Sequence, residues 1–421
     1  MSEIFSFSEG ALKIGNEICS TAIWDETGKY CNWLAASPYD ELYASTRRAM
    51  CALRTDLYGG LAGIVMYLTD LARLTGKEYF CDTAIGALRC AELQVTSVLD
   101  SGHPTSLFVG SFGLFFSLNY FLKYYQLGEL FEFYNRLRTI VESSPPSQLV
   151  DVVSGLSGSV LGLLAIESQD VTFFRERARA FTYDILNRAR RENDALFWSS
   201  LSSSGLPDKR PLTGFAHGAS GIGAALLAEY QEPQEIIFKS AAEAAFQYEE
   251  NVFDRASGKY PDLRGTSPSF STGAWCTGSP GIALSRLLAM QFDPASRLAH
   301  SARAELPLLH TAEAVALALE SNGVNRSDGV DGSLCHGLSG LAEICLFGSE
   351  IRGEIGLRDL ATRAAKMLMA NRFRSGLPEG DWTPGLMVGS AGFGHLLLRL
   401  AFGTDVPSPL VGYTRIKGNC G

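Results

Sequence analysis

The sequence predicts an all-α protein in which an inner ring of buried helices is wrapped by an outer ring of amphipathic ones. Three observations lead there. A Gly-x-x-Gly signal recurs seven times, with its first Gly at 60, 110, 155, 218, 278, 337 and 389, at intervals of 45 to 63 residues. A shared local pattern at such a period marks an array of supersecondary units. Each signal opens an apolar run, and charged segments with one apolar stripe at helical spacing lie between the runs.

In chain order, residues 1–57 form a lead-in with an outer helix over 9–23 and a second segment over 39–53. Buried helices follow over 61–74, 114–122, 159–166, 222–227, 282–290, 341–347 and 393–400, each apolar on most faces. Amphipathic partners are clearest over 173–191, 234–250, 295–321 (one or two segments) and 354–373. If every inner helix runs the same way, every Gly-x-x-Gly turn opens on one face, where Gly relieves the backbone and lets neighbours approach. Seven helical pairs over 58–410 and a tail at 411–421 account for the chain as one domain, 1–421, with no linker or low-complexity tract to divide it.

Composition narrows the function. A net charge of −9 and a pI near 5.3, without a basic run, argue against a nucleic-acid surface. The N-terminus lacks the basic region of a signal peptide, and the most apolar stretch, 107–118, is too short to span a bilayer, so a cytoplasmic protein is expected. Nine cysteines are an odd number without a disulfide-framework spacing. Cys19, Cys51, Cys81, Cys90 and Cys345 fall in helical patterns and read as small core residues, while Cys31 and Cys420 have no assignable role.

Chemistry gathers just before four consecutive turns. Cys335 and His336 stand directly ahead of Gly337, and a thiol beside an imidazole suits zinc. A third donor appears 59 residues earlier: Cys276, like Cys335, stands two residues before the first Gly of its turn. His217 stands one before Gly218 and Asp151 four before Gly155, whereas the other three turns carry Tyr58 and Gly59, Phe108 and Val109, and Met387 and Val388. These polar residues are expected to converge at one mouth.

Other candidate motifs fail their templates. The Asp-Gly-Val-Asp-Gly run at 328–332 lacks the spacing of a calcium loop. Gly218 to Gly223 follows no strand, as a dinucleotide loop requires, and Ser220 does not sit in a nucleophile elbow. His103, His300, His310 and His395 lack the turn register and read as structural, and Trp275 as wall or packing.

Trp275-Cys276-x-Gly278-x-x-Gly281, Cys335-His336-Gly337 and Ala216-His217-Gly218-x-x-Gly221, set in seven Gly-x-x-Gly repeats, resemble the lanthionine synthetase C-like cyclases from about Leu57 to Leu410. The tail, with Pro384-Gly385-Leu386-x-x-Gly389 and Leu397-Leu398-Arg399-Leu400, is similar to the cyclase domains of bifunctional lanthipeptide synthetases. No dehydratase-sized region precedes it, so a stand-alone cyclase served by a separate dehydratase is expected. The resemblance implies an (α/α)7 toroid of seven inner and about seven outer helices with one zinc ion at its mouth. It implies Cys276, Cys335 and His336 as ligands and places His217 and Asp151 on the family's acid/base positions. Two positions depart from the pattern: many members place His or Tyr where this chain has Thr277, and some place Arg where it has Thr272. Both bear on substrate choice and proton transfer.

The residue types give such a site a mechanism. Two thiolates and a neutral imidazole around Zn²⁺ make a neutral centre with one tetrahedral position open. A peptide cysteine entering there becomes a thiolate at neutral pH and can add to the β-carbon of dehydroalanine or dehydrobutyrine. His217 is the candidate acid for the resulting enolate, with Asp151 orienting it. Helix N-termini around the mouth are expected to favour the negative charge by roughly 0.3 to 1 kcal/mol each. The product from a dehydrated precursor peptide is a thioether ring. Competing readings are addition of glutathione as an external thiol, and a non-catalytic zinc-containing scaffold or peptide-binding partner of a dehydratase.

Overall fold

Buried and amphipathic helices alternate along the chain. The computed structural model describes residues 2–36, 50–98, 105–167, 171–199, 210–231, 235–264, 267–270, 273–294, 302–320 and 329–412. Among these, the helices are α1 (Ser2–Thr21), α2 (Leu61–Thr75), α3 (Glu78–Val98), α4 (Ser111–Tyr124), α5 (Phe131–Ser143), α6 (Leu156–Ala165) and α7 (Val171–Asn187). They continue as α8 (Ala219–Tyr230), α9 (Ile236–Val252), α10 (Ser279–Phe292), α11 (Ala302–Glu320), α12 (Leu338–Arg352), α13 (Ile355–Ala370) and α14 (Ser390–Phe402). The even-numbered helices are the ones that follow a Gly-x-x-Gly turn. They are buried almost throughout, as Leu61 to Ala72 of α2 and Ala219 to Glu229 of α8 illustrate.

Strands are few and short. β1 (Ile23–Trp24) pairs antiparallel with β2 (Cys31–Asn32), β3 (Leu34–Ala36) with β4 (Met50–Ala52), and β5 (Arg190–Glu192) with β6 (Ala195–Phe197). β7 (Val330–Asp331) pairs in parallel with β8 (Phe373–Arg374). These pairs shorten three expected helices. The first ends at Thr21 rather than Ile23, α7 stops at Asn187 before the hairpin, and α13 stops at Ala370 before β8. Cys51, expected in a helical pattern, lies on β4 instead. Of the expected 295–321 segment, the described residues 302–320 form one helix, α11, with Pro307 inside it. Residues 37–49, His103, His300, Thr272, Asp328 and Cys420 lie outside the described residues.

The helices fall into two compact units. The first comprises Met1–Pro145, Asn325–Ser339 and Ala365–Val406. In it α14, α2 and α4 pack in a row, with α1 against α14, α3 against α2 and α5 against α4. The second comprises Pro146–Val324, Gly340–Ala364 and Pro407–Gly421. There α6, α8 and α10 form the row, with α7, α9 and α11 as their respective partners.

Four of the Gly-x-x-Gly turns, those at Gly60, Gly155, Gly218 and Gly389, share one construction, a backbone cap. The first free N–H groups of a helix need partners, and no side chain supplies them at Gly60, Gly155, Gly218 or Gly389. A carbonyl seven residues back does so instead: Leu61 N–H donates to Arg54 O (2.8 Å), Leu156 to Leu149 O (3.1 Å), Ala219 to Leu212 O (3.2 Å) and Ser390 to Thr383 O (3.1 Å). Folding the loop back that tightly leaves no room for side chains. A Cβ added at the second Gly of six turns (63, 113, 158, 221, 281 and 392) would come within 3.0 Å of the carbonyl oxygen six residues earlier.

Equivalent positions of successive turns are also joined through the backbone. In the first unit Cys335 N–H donates to Met387 O (2.9 Å), Met387 N–H to Tyr58 O (2.8 Å) and Tyr58 N–H to Phe108 O (2.9 Å). All four residues stand two before the first Gly, the register that also carries Cys276.

Candidate metal and acid/base site

Cys276 sits at the tip of a tight turn. Ala274 and Thr277 exchange backbone hydrogen bonds, N–H to O at 2.7 Å from Ala274 and 3.3 Å from Thr277. Trp275 beside it is fully buried, donates Nε1–H to Leu410 O at 3.0 Å and lies 6.0 Å from the Phe215 ring, so it packs and anchors the turn. Gly278, next in the chain, has φ +75, a conformation that a side chain would strain. This turn differs from its counterparts because Pro280 occupies the start of α10 and Gly273 (φ +81) packs against it.

Cys335 is buried and His336 exposed at the entrance to α12. Asp331 caps their turn by accepting the Ser333 N–H at 2.9 Å, which gives the acidic run before the pair a structural role. His336 Nε2 lies 2.6 Å from the carbonyl oxygen of Gly376. A carbonyl can only accept, so Nε2 carries the hydrogen and Nδ1 keeps the lone pair. The ligand atoms of Cys276, Cys335 and His336 lie within 4.8 Å of one another, and together they form a group that could hold a metal ion. Two thiols and one imidazole are a donor set suited to zinc, and three protein ligands leave one tetrahedral position open.

His217 and Asp151 meet as well. His217 Nδ1 lies 2.7 Å from Asp151 Oδ2, while Asp151 Oδ1 accepts the Ser154 N–H at 2.6 Å. Asp151 therefore caps its own turn and orients the imidazole. Val152 and Val153 donate N–H bonds to Ala216 O at 3.0 and 3.2 Å, which fixes the two turns side by side. About a third of the His217 side chain is open to solvent. Burial alone would depress its pKa, but the Asp151 charge and hydrogen bond, helped by the Cys276 thiolate, outweigh burial and hold it above the ordinary value; Arg264 opposes them.

One expectation changes in the structure. The N-termini of α2, α6, α8 and α14 spend their first N–H groups on their own loops, so less of their partial charge is free than a bare helix end would offer. Thr277 is near the Asp262 carboxylate, which takes Arg264 through Nε (3.1 Å) and Nη2 (2.7 Å). Burial pushes the Asp262 pKa up, but these donors more than compensate and hold it low. Sequence reading missed Asp262, Arg264 and Gly376 because each lies in an irregular segment with no periodic signal. His310 has Nδ1 3.1 Å from Ser279 Oγ at the start of α10, and buried His395 faces Asp70 at 3.6 Å. Among the described residues no helix is long and apolar enough to cross a membrane.

The chain is similar to known proteins over most of its length. A family model described as lanthionine synthetase C-like protein matches residues 52–411. Nisin cyclase has a similar structure, with a TM-score of 0.65 at 18% identity, covering 86% of this chain and 92% of that one. The likeness shows the fold, an all-α toroid. An α-mannanase from Bacteroides thetaiotaomicron matches at a TM-score of 0.47 and 9% identity, covering 94% and 95% of the two chains. The Lin0763 protein from Listeria innocua matches at 0.46 and 10%, covering 95% and 97%. Comparison with curated proteins finds no match.

Proposed function

Because the chain belongs to the lanthionine synthetase C-like family, we propose that it is a zinc-dependent cyclase that closes thioether rings in a dehydrated precursor peptide made ready by a separate dehydratase. The observation that carries this reading is the Cys276, Cys335 and His336 group, whose ligand atoms lie within 4.8 Å of one another. Zinc bound there would lower the pKa of a peptide thiol so that it is nucleophilic near neutral pH.

The chain's own residues do the rest. Cys276, Cys335 and His336 would hold the metal, and Gly376 O fixes the His336 tautomer. The thiol sulfur of the substrate bonds to the β-carbon of a dehydroalanine or dehydrobutyrine, the carbon-carbon π bond breaks, and its electron pair moves into an enolate. His217 supplies the proton that Cα then needs, and the proton shed by the thiol restores the imidazolium. Asp151 keeps Nδ1–H engaged, which leaves Nε2 as the nitrogen that exchanges the proton.

Zinc content and ring formation in the same preparations test the proposal. The wild type should carry about one zinc per chain and close rings in dehydrated peptide. Folded Cys276→Ala and Cys335→Ala should lose the metal, and His217→Ala should keep it while slowing closure by about 10²- to 10⁴-fold. Zinc-free, well-folded wild type would remove the thiol activator and sink the proposal. Faster addition of glutathione than of the peptide's own cysteine would transfer it to an external-thiol reaction.

A further inference from the structure

Beneath the His217 turn lies a buried charged cluster that the proposed reaction does not use. Glu249, near the end of α9, has no exposed surface. Its Oε1 accepts the N–H of Gly214 at 2.9 Å and of Ser220 at 3.1 Å, and its Oε2 accepts the Ser220 hydroxyl. Those two residues stand three before and three after His217, so one carboxylate grips both ends of the loop that presents the imidazole. Gly214 itself has φ +94, and a Cβ there would strike Thr277 Cα at 2.8 Å. The same loop thus leans directly on the chain that follows Cys276.

Arg286, on α10, stands behind the carboxylate. Its Nη2 lies 3.5 Å from Glu249 Oε2 and 3.5 Å from Glu250 Oε1. At that distance the contacts are ion pairs without a formed hydrogen bond, in keeping with an Nη2 that has no hydrogen-bond partner. The guanidinium also sits 4.1 Å from the centroid of the Phe246 ring. Glu250 in turn accepts the Tyr260 hydroxyl at 2.8 Å, and Thr213 donates its hydroxyl to Pro261 O at 2.6 Å. Arg286 thereby joins the loop that carries His217 to the loop that leads toward Cys276. Burying an acid with two partners and a cation is costly unless the geometry is satisfied. Here the satisfied groups are the backbone of a functional loop.

We infer that Glu249, backed by Arg286, is a positioning residue for His217: its carboxylate fixes the Gly214–Ser220 loop and so sets where the imidazole stands relative to Asp151. This rests on the reading of His217 as the proton donor. A misplacement of about 1 Å in such a group can cost on the order of 10²-fold in rate.

Glu249→Gln keeps the shape and removes the charge, and Ser220→Ala removes one hydroxyl while leaving both buried charges in place. Both are compared with wild type as zinc-loaded protein by ring-closure kinetics, zinc content, thermal midpoint and the ¹⁵N chemical shifts of the His217 ring at fixed pH. Expected for Glu249→Gln is full zinc content, a kcat about tenfold lower or more, KM changed by less than about threefold, and displaced His217 shifts. Ser220→Ala should move the same quantities in the same direction by less. If Glu249→Gln does not fold, Ser220→Ala decides by the same readouts. A lowered thermal midpoint with wild-type kcat, KM and ring shifts would show that Glu249 only stabilises the fold, and would overturn the inference. Should the wild type close no rings, the functional reading fails by itself. The His217 shifts, which need no substrate, then still decide whether Glu249 sets the ring.

Discussion

His336 Nε2 lies 2.6 Å from the carbonyl oxygen of Gly376, and that contact decides which ring nitrogen is left to bind a metal. It also explains why position 376 is a glycine. A Cβ there would stand 2.7 Å from His336 Nε2 and 2.7 Å from Ser333 Oγ, so any side chain must displace the imidazole or its turn. Gly376→Ala should therefore weaken zinc binding by about 10- to 100-fold, the usual cost of losing a partner behind a metal ligand. Competition against a chelator of known affinity measures this directly. Unchanged zinc affinity in the variant would mean that the Gly376 carbonyl does not orient the ligand.

Asp151 holds the His217 pKa up against the effect of burial, through both its charge and its hydrogen bond. Asp151→Asn can still accept from Nδ1–H but carries no charge. The imidazolium loses its main support, so the His217 pKa should fall. The limb of the rate profile that reports loss of the acid form should move to lower pH, with a rate loss at neutral pH of about tenfold or more. Zinc content should not change, since Asp151 is not in the ligand group. A profile that keeps its alkaline limb in place would exclude Asp151 as the group that tunes His217.

The parts of this protein that could be read in its sequence are those in which one physical demand recurs. Six of the Gly-x-x-Gly loops bring a carbonyl against the first turn of the next helix, where only glycine leaves space for it, as at Gly113 below Leu107 O and Gly158 below Val152 O. Repetition of that demand exposes the register, and the register exposes Cys276, Cys335 and His217. Single events leave no such trace. Gly376 lies 40 residues beyond His336, and Glu249 looks in sequence like one more acid on the polar side of an amphipathic helix. The hairpin at Arg190–Glu192 was hidden for a related reason, because strands of two or three residues are shorter than any alternation that could announce them.

Glu229 offers a test of how burial acts on the fold away from the site. Its side chain is 2% exposed, and Arg179 Nε, 3.3 Å away, reaches only one carboxylate oxygen. Burial raises its pKa from 4.5 to about 7, with Arg179 opposing and Glu235 assisting. A carboxyl with a raised folded pKa gives stability that is fully present below about 4.5 and is lost as pH rises through about 7. Urea midpoints of wild type and Glu229→Gln, followed from pH 5 to 8, should therefore converge at the acid end. At pH 8 the variant should be more stable by roughly 1 to 2 kcal/mol once solvent screening is allowed for. Parallel curves across that range would rule out a buried, neutralised Glu229.

The backbone cap makes its own quantitative claim, and Gly158 states it most simply. Gly158 is the third residue of α6, a helical position where alanine is ordinarily better than glycine by up to about 1 kcal/mol. Yet its added Cβ would run into the carbonyl group of Val152, and main chain cannot swing aside as a side-chain end can. The clash should outweigh the propensity gain, so Gly158→Ala should lower stability by about 1 to 3 kcal/mol. Gly356 of α13 is the control, because nothing lies within 4 Å of the Cβ it lacks. Gly356→Ala should be neutral or slightly stabilising. Urea unfolding of the two variants separates the effects: an unchanged m-value with a lower midpoint for Gly158→Ala alone is the expected pattern. Equal midpoints would show that the loop can relax, and that the repeated glycines answer to something other than the carbonyl beneath them.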